Sequence, residues 1–272
     1  MNKQTLKFLL TAAAVFLFLA ALTADLQPHA SACAWDSASW KNPTRPTHSL
    51  ITKWAIEALG EDYPELVDYS EQLIDGANVE VHDLKIKCTK YGVDFNQRRA
   101  ERYIGTNAGC ERPDLIWKDS LEAYQNGQTE LAYFTLGVLL HQIQDMCVPS
   151  HANNIYHQGN MTEFDNFEYM ALWNWKPKVE DIEVEDPVFE NPSDYYDFSI
   201  SWCQEDAPDY KSRNQFSKTW TFAGEDERWL LSRRQGAACL VTMWALESAI
   251  LKLHEVPTEG GQVFISLNFP FD

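Results

Sequence analysis

Apolar residues recur along most of the chain at the spacing of α-helices. Between Pro46 and Gly60 they stand at positions 50, 51, 54, 55, 58 and 59, which form one stripe along a helix that Gly60 ends. The same spacing predicts further helices at 64–76, 114–125, 129–147, 163–173 and 225–254. Period-two alternation is scarce, and only 262–267 suggests a short strand. The pattern predicts an all-α fold in a single domain.

Two stretches lack this periodicity. Residues 84–112 mix glycine, cysteine and basic residues, and we expect a loop there. Residues 176–224 are rich in proline, acidic and aromatic residues. They are too aromatic for a flexible linker, so we expect an irregular excursion of the same domain.

The N-terminus has the composition of a secretory signal. Basic residues come first, and the apolar run 8–22 is too short and too early for a membrane span. Small residues allow cleavage before Cys33 or before Trp35, but Ala30 stands where lipid modification of Cys33 would require a large aliphatic residue. We therefore predict a signal peptide at 1–34 and a secreted or periplasmic domain at 35–272, without a transmembrane anchor.

The net charge of the chain indicates which classes of partner it binds poorly. The formal net charge is −18, and removal of a signal with net charge +1 would make it −19. Such acidity disfavours non-specific binding to nucleic acid or to anionic membranes. We expect a monomer with no stable nucleic-acid partner. Five cysteines would remain after cleavage; a Cys88–Cys110 bridge is one option, and Cys147 is expected to be a small buried residue.

The predicted helix at 129–147 carries the candidate chemistry. His141 and Asp145 are four residues apart, so they project from one face of the helix, close enough to share a metal. Pro149 stops the helix, and His151 follows in the turn. A buried His–Asp pair that only satisfies its own hydrogen bonds is the structural alternative. The third potential ligand favours a metal, and imidazole with carboxylate suits zinc.

The motif Phe134-x-Leu-Gly-x-x-Leu-His141-x-x-x-Asp145-x-x-x-Pro149-x-His151-Ala-x-Asn154 resembles the signature of the bacterial zinc-dependent phospholipases C. The zinc-dependent single-strand nucleases of fungi and plants share their fold and metal cluster. The resemblance implies an all-helical domain with three zincs, one of them bound by the amine of an N-terminal tryptophan. Trp35 stands thirteen residues before His48, a spacing that matches the phospholipases.

The resemblance also assigns metal ligands residue by residue. Trp35, through its amine and carbonyl, and His48 would hold one zinc. Asp145 would bridge this zinc to a second one, which His141 and His82 would bind.

The carboxylate that the family places after its second helix has two candidates here, Glu80 and Asp83. Glu80 lies nearer the family spacing, so we expect it to ligate zinc and to act as the catalytic residue that orients or deprotonates the attacking water. Asp83 remains the alternative.

His151 would begin a third zinc site, which the phospholipases complete with His-x-x-x-Glu. This chain keeps the carboxylate as Asp165, but Met161 stands at the histidine position. His157 can compensate from the preceding turn. The resemblance therefore implies two or three zinc ions.

The function that follows is hydrolysis of a phospholipid or another phosphodiester, of phospholipase C type, in which a hydroxide held between zincs attacks phosphorus. The spacing of thirteen and the Leu-Gly-x-x-Leu-His context favour the phospholipases. Two alternatives remain: a single-strand nuclease of the same fold, and a metal-binding family member without turnover.

Overall fold

The computed structural model describes residues 47–79, 112–155 and 165–255, apart from positions 213 and 218 and the side chain of Leu172. The described residues form helices and contain no β-strand, which confirms the all-α prediction for this part of the chain. The phospholipase C arrangement of the helices stays a prediction. The predicted strand at 262–267 and nearly all of the predicted loop at 84–112 lie outside the described residues.

The helices closely follow the apolar periodicity. They are α1 (Thr47–Leu59), α2 (Glu65–Asp68), α3 (Ser70–Ala77), α4 (Pro113–Gln125), α5 (Thr129–Asp145), α6 (Pro149–Ala152), α7 (Asn166–Trp173), α8 (Tyr195–Asp206) and α9 (Glu225–Glu255).

Two stretches differ from the prediction. The helix predicted at 64–76 is divided into α2 and α3, because the backbone leaves helical geometry at Tyr69. The stretch 176–224, predicted to be irregular, contains the 3-10 helix Pro192–Asp194 and then α8. α8 buries Tyr195 and Trp202 on one face, so the aromatic residues that seemed to mark an irregular excursion are the apolar stripe of a helix.

Helix α5 lies at the centre of the described part of the fold. Every residue from 131 to 145 is buried, because α3 and α4 pack along α5 and α8 and α9 also contact it. A helix that is apolar on all sides is stable only in such surroundings. The helix that carries His141 and Asp145 is therefore the most enclosed part of the described core.

Helices α3 and α5 cross through two glycines. A Cβ on Gly137 would lie 2.3 Å from the carbonyl oxygen of Leu73, and a Cβ on Gly76 would lie 2.1 Å from that of Phe134. No side chain fits at either position, so the two backbones touch directly. The close approach brings the C-terminal end of α3, at Ala77, beside His141.

Helix α9 has the length and composition to cross a membrane, but its surroundings are those of a core helix. Of its most apolar 18-residue window, 67% is buried inside the protein, where it packs chiefly against α1 and α5. Gln235 on α9 also bonds to the stretch that follows α7. Its amide oxygen accepts from the backbone N–H of Lys176 at 2.8 Å, and its amide nitrogen donates to the carbonyl of Asn174 at 2.7 Å.

The glycine crossing gives a first testable prediction. Gly137→Ala should lower the free energy of unfolding by about 1–3 kcal/mol, the usual cost of forcing extra volume into a packed core. Helix propensity alone would favour alanine, so a loss of stability reports the contact with α3. Urea denaturation measures it. Gly224→Ala is the matched control, because a Cβ there meets no atom within 4 Å. Equal stability of the two variants would contradict the close crossing.

Candidate metal centre

Three of the predicted ligands come together in the core. His48, in the first turn of α1, and His141, on α5, both face Asp145, the last residue of α5. Nε2 of His48 lies 3.3 Å from Oδ1 of Asp145, and Nε2 of His141 lies 3.3 Å from Oδ2. All three side chains are buried, and one ligand atom from each lies within 4.8 Å of the others. The group can therefore hold a metal ion.

The other ring nitrogen of each imidazole, Nδ1, is hydrogen-bonded to an oxygen. Nδ1 of His141 donates to the carbonyl of Ala77 at 2.8 Å. Nδ1 of His48 donates to the amide oxygen of Gln144 at 2.7 Å, and the amide nitrogen of Gln144 donates to Thr52 at 3.0 Å. Because these oxygens only accept, both Nδ1 atoms carry the proton. The neutral imidazoles then present the lone pairs of Nε2 to Asp145, which is the arrangement of metal-binding histidines.

Positive charge between the rings and the carboxylate would stabilise this arrangement. Two lone pairs facing a carboxylate would otherwise repel it. The rings are stacked, with centroids 4.1 Å apart and planes 20° from parallel, so protonating both would place two buried cations in contact. Among the described residues, Nε2 of His48 and Oδ1 of Asp145 have no hydrogen-bond partner. Bound metal would satisfy these atoms, and donors of imidazole nitrogen and carboxylate oxygen fit zinc.

The pKa of Asp145 agrees with this arrangement. Burial by itself would raise it, but the imidazoles of His141 and His151, when they carry positive charge, outweigh burial and hold the pKa well below its usual range. With its pKa lowered, the carboxylate is ionised at neutral pH. A metal ion would act in the same direction.

A second imidazole–carboxylate pair lies next to the first group. Nε2 of His151, on α6, lies 3.5 Å from Oε1 of Glu168 on α7, and the hydroxyl of Ser150 donates to the same oxygen at 3.1 Å. His151 is close enough to Asp145 to influence its pKa. Glu168 is buried, so its carboxylate is directed into the protein and not into solvent.

Asp165, the predicted carboxylate of the third site, lies at the start of α7, and its role as a zinc ligand stays a prediction. Asp165 caps the N-terminus of α7, accepting from the backbone N–H groups of Phe167 at 2.7 Å and Glu168 at 3.4 Å. The hydroxyl of Tyr210 donates to both of its oxygens, at 2.7 and 2.6 Å. Burial and this carboxylate raise the pKa of Tyr210. Asp165 thus builds the helix start, and Glu168 lies beside His151.

Sequence reasoning missed Glu168 because its signal is ambiguous. Asp165 and Glu168 have the spacing of a capping box, in which the acidic residue three positions after the cap bonds back to the helix start. Here Asp165 performs the capping, and the side chain of Glu168 is left to face His151. The spacing identifies a helix start but does not reveal which acid contacts a histidine.

The remaining predicted ligands cannot be placed. Trp35, Glu80 and His82 lie outside the described residues, as do Asp83, His157 and Met161, so their roles stay predictions. Cys147 is confirmed as a buried residue.

Comparison with known proteins leaves the family open. No family model, curated protein or solved structure matches the chain. The likeness to the phospholipases C therefore rests on the motif residues around α5, and membership of that family stays a prediction.

The hydrogen bond from His48 to Gln144 can be tested directly. Gln144→Leu removes the acceptor that fixes Nδ1 of His48, and it should weaken zinc binding by about 10- to 100-fold, as expected for an outer partner of a ligand. Competition with a chromophoric chelator measures this affinity. Gln142→Leu is the control, since the buried amide oxygen of Gln142 has no hydrogen-bond partner among the described residues. Equal zinc affinity in both variants would contradict the assigned orientation of His48.

A second comparison separates the two acids of α7. Glu168→Ala should lower the zinc content of the purified protein, because it removes the carboxylate beside His151. Asp165→Ala should keep the zinc but lower the free energy of unfolding by about 0.5–2 kcal/mol, the usual cost of a lost helix cap. Metal analysis and urea denaturation give the two quantities. If Asp165→Ala loses zinc and Glu168→Ala keeps it, the result would support Asp165 as the zinc ligand, as the sequence predicts.

Proposed function

We propose that this chain is an exported, zinc-dependent phosphodiester hydrolase of phospholipase C type. The observation that carries the proposal is the pair of imidazoles whose lone pairs face the two oxygens of Asp145. One carboxylate between two histidines is suited to bridging two metal ions, as the family resemblance implies. Export rests on the predicted signal peptide alone.

The described residues would divide between neighbouring metal positions. His48 and His141 would each bind one ion, and Asp145 would connect them. His151 and Glu168 would supply a further position beside them. The predicted ligands Trp35, Glu80 and His82 would complete the set.

The chain's own groups prepare the site for hydrolysis. Zinc bound there would act as a Lewis acid on phosphoryl oxygens and would lower the pKa of a water to about 7. Ala77 and Gln144 hold the imidazoles in the tautomer that presents Nε2, so no proton has to move before a metal binds. Glu80 is proposed to orient the attacking water or to accept its proton.

The substrate class is part of the proposal. The acidic chain disfavours a polyanionic nucleic acid, and the spacing between Trp35 and His48 resembles that of the phospholipases. We therefore place phospholipids first among phosphodiester substrates.

The decisive experiment measures metal and activity together. The purified mature protein should contain at least two zincs per chain and release diglyceride from phosphatidylcholine. Fewer than two zincs would contradict the hydrolase proposal. Release of nucleotides from single-stranded DNA without lipid cleavage would show that the protein is a nuclease, and full zinc content without either activity would show a metal-binding protein without turnover.

Asp145→Ala tests the bridging role. It should remove both zincs of the pair and lower activity by more than about 100-fold, since the loss of an outer partner alone costs 10- to 100-fold. Metal analysis and initial rates are the measurements. Asp114→Ala is the control, because this exposed acid pairs with Arg112 on the surface. Full zinc content in Asp145→Ala would contradict the bridging assignment.

A further inference from the structure

Helix α9 contains a fully buried arginine that belongs to neither group of candidate ligands. Nε of Arg234 donates to the carbonyl of Cys147 at 3.0 Å, and Nη1 donates to Oδ2 of Asp206 at 2.8 Å. Its guanidinium carbon lies 5.4 Å from the centre of the Trp202 ring. Arg234 therefore joins α9 to α8 and to the link that follows α5.

Burial of this group is costly for stability. Removing a guanidinium from water costs several kcal/mol, and replacing a buried ion pair by apolar side chains is often neutral or stabilising. Among the described residues, Nη2 of Arg234 has no hydrogen-bond partner, so the cost is not fully offset. Stability alone does not account for an arginine at this position. The contacts of Arg234 indicate instead which part of the fold this residue holds in place.

The carbonyl that Arg234 contacts belongs to the link between the two groups of candidate ligands, one around Asp145 and the other around His151. Cys147 lies in the short link between Asp145, which ends α5, and His151, which lies on α6. The thiol of Cys203, on α8, donates to the same carbonyl at 3.3 Å. The carbonyl of Cys147 lies beyond the end of α5 and accepts from both α8 and α9, so two helices hold the link from outside.

We propose that Arg234 is a positioning residue of the metal centre. By holding the carbonyl of Cys147, it fixes the link between Asp145 and His151 and so sets the separation of the two ligand groups. The inference rests on the proposed metal-dependent function, and it adds a residue that touches neither metal nor substrate. Ligand geometry has to be held within about 0.5 Å for a metal site to work, which is why a distant anchor has consequences.

The neighbouring arginine provides a matched control. Nε of Arg233 donates to Oδ1 of the same Asp206 at 2.9 Å, and its guanidinium lies over the ring of Trp229. Arg233 and Arg234 thus share one acid on α8. The contact with the carbonyl of Cys147 is what distinguishes Arg234.

The test compares Arg234→Met with Arg233→Met in the purified mature protein. Arg234→Met should raise the Kd for Zn²⁺ by about 10- to 100-fold, as expected for lost support of ligands, whereas Arg233→Met should leave it unchanged within error. Arg234→Lys should recover only part of the affinity, because an ammonium cannot reproduce the two-pronged contact of a guanidinium. Co²⁺ absorption spectra, which report ligand geometry, should change in the Arg234 variants alone.

Imidazole NMR spectra of the metal-free protein provide a readout that does not depend on zinc. The signals of His141 and His151 should shift in Arg234→Met and stay in place in Arg233→Met. If the wild type binds no zinc, the proposed function fails, and these spectra still decide the positioning role. Unchanged affinity and unchanged spectra in Arg234→Met would overturn the inference, as would equal changes in both arginine variants.

A second pair of variants covers the case in which Arg234→Met does not fold. Cys203→Ala removes the other donor to the carbonyl of Cys147, whereas Cys203→Ser retains a donor of similar size. Weaker zinc binding in the alanine variant only, with the same imidazole shifts, would support the role of this carbonyl. Identical behaviour of the two variants would contradict it.

Discussion

One electrostatic interaction organises the candidate site, that of two imidazoles with a buried carboxylate. His48 and His141 direct their lone pairs at Asp145 because their protons are bound to oxygens on the opposite side of each ring. A cation bound there would interact strongly with these groups, because the dielectric of the core is low. Helices α1 and α5, which could pack through apolar side chains alone, instead meet at a buried group of two imidazoles and a carboxylate that can hold a metal ion.

The packing of the helices supports this interaction at each contact. The two glycines at the crossing of α3 and α5 bring a main-chain carbonyl to His141, and the contact of α1 with α3 and α9 holds His48 above it. The last turn of α5 carries Asp145 and is followed by a link whose carbonyl is held from α8 and α9. Five helices of the described fold, α1, α3, α5, α8 and α9, therefore contribute to the geometry of one carboxylate and the rings around it.

The sequence predicts the helices well because their apolar stripes are long, and it predicts His141 and Asp145 because a spacing of four on one helix is a local property. His48 was predicted as a ligand only from the family resemblance, because no sequence spacing shows that α1 packs near the end of α5. Glu168 was missed because the sequence does not show whether Asp165 or Glu168 caps α7. The proton positions were out of reach for another reason: the partner of His141 is a backbone carbonyl, and every residue has one.

That backbone carbonyl has an evolutionary consequence. The orientation of His141 is set by an atom that no change of side chain at position 77 removes, so it is insulated from most single substitutions there. The orientation of His48 depends on the side chains of Gln144 and Thr52, which mutation can alter one at a time. Single substitutions at these two positions would therefore be expected to change the orientation of His48, while that of His141 is retained.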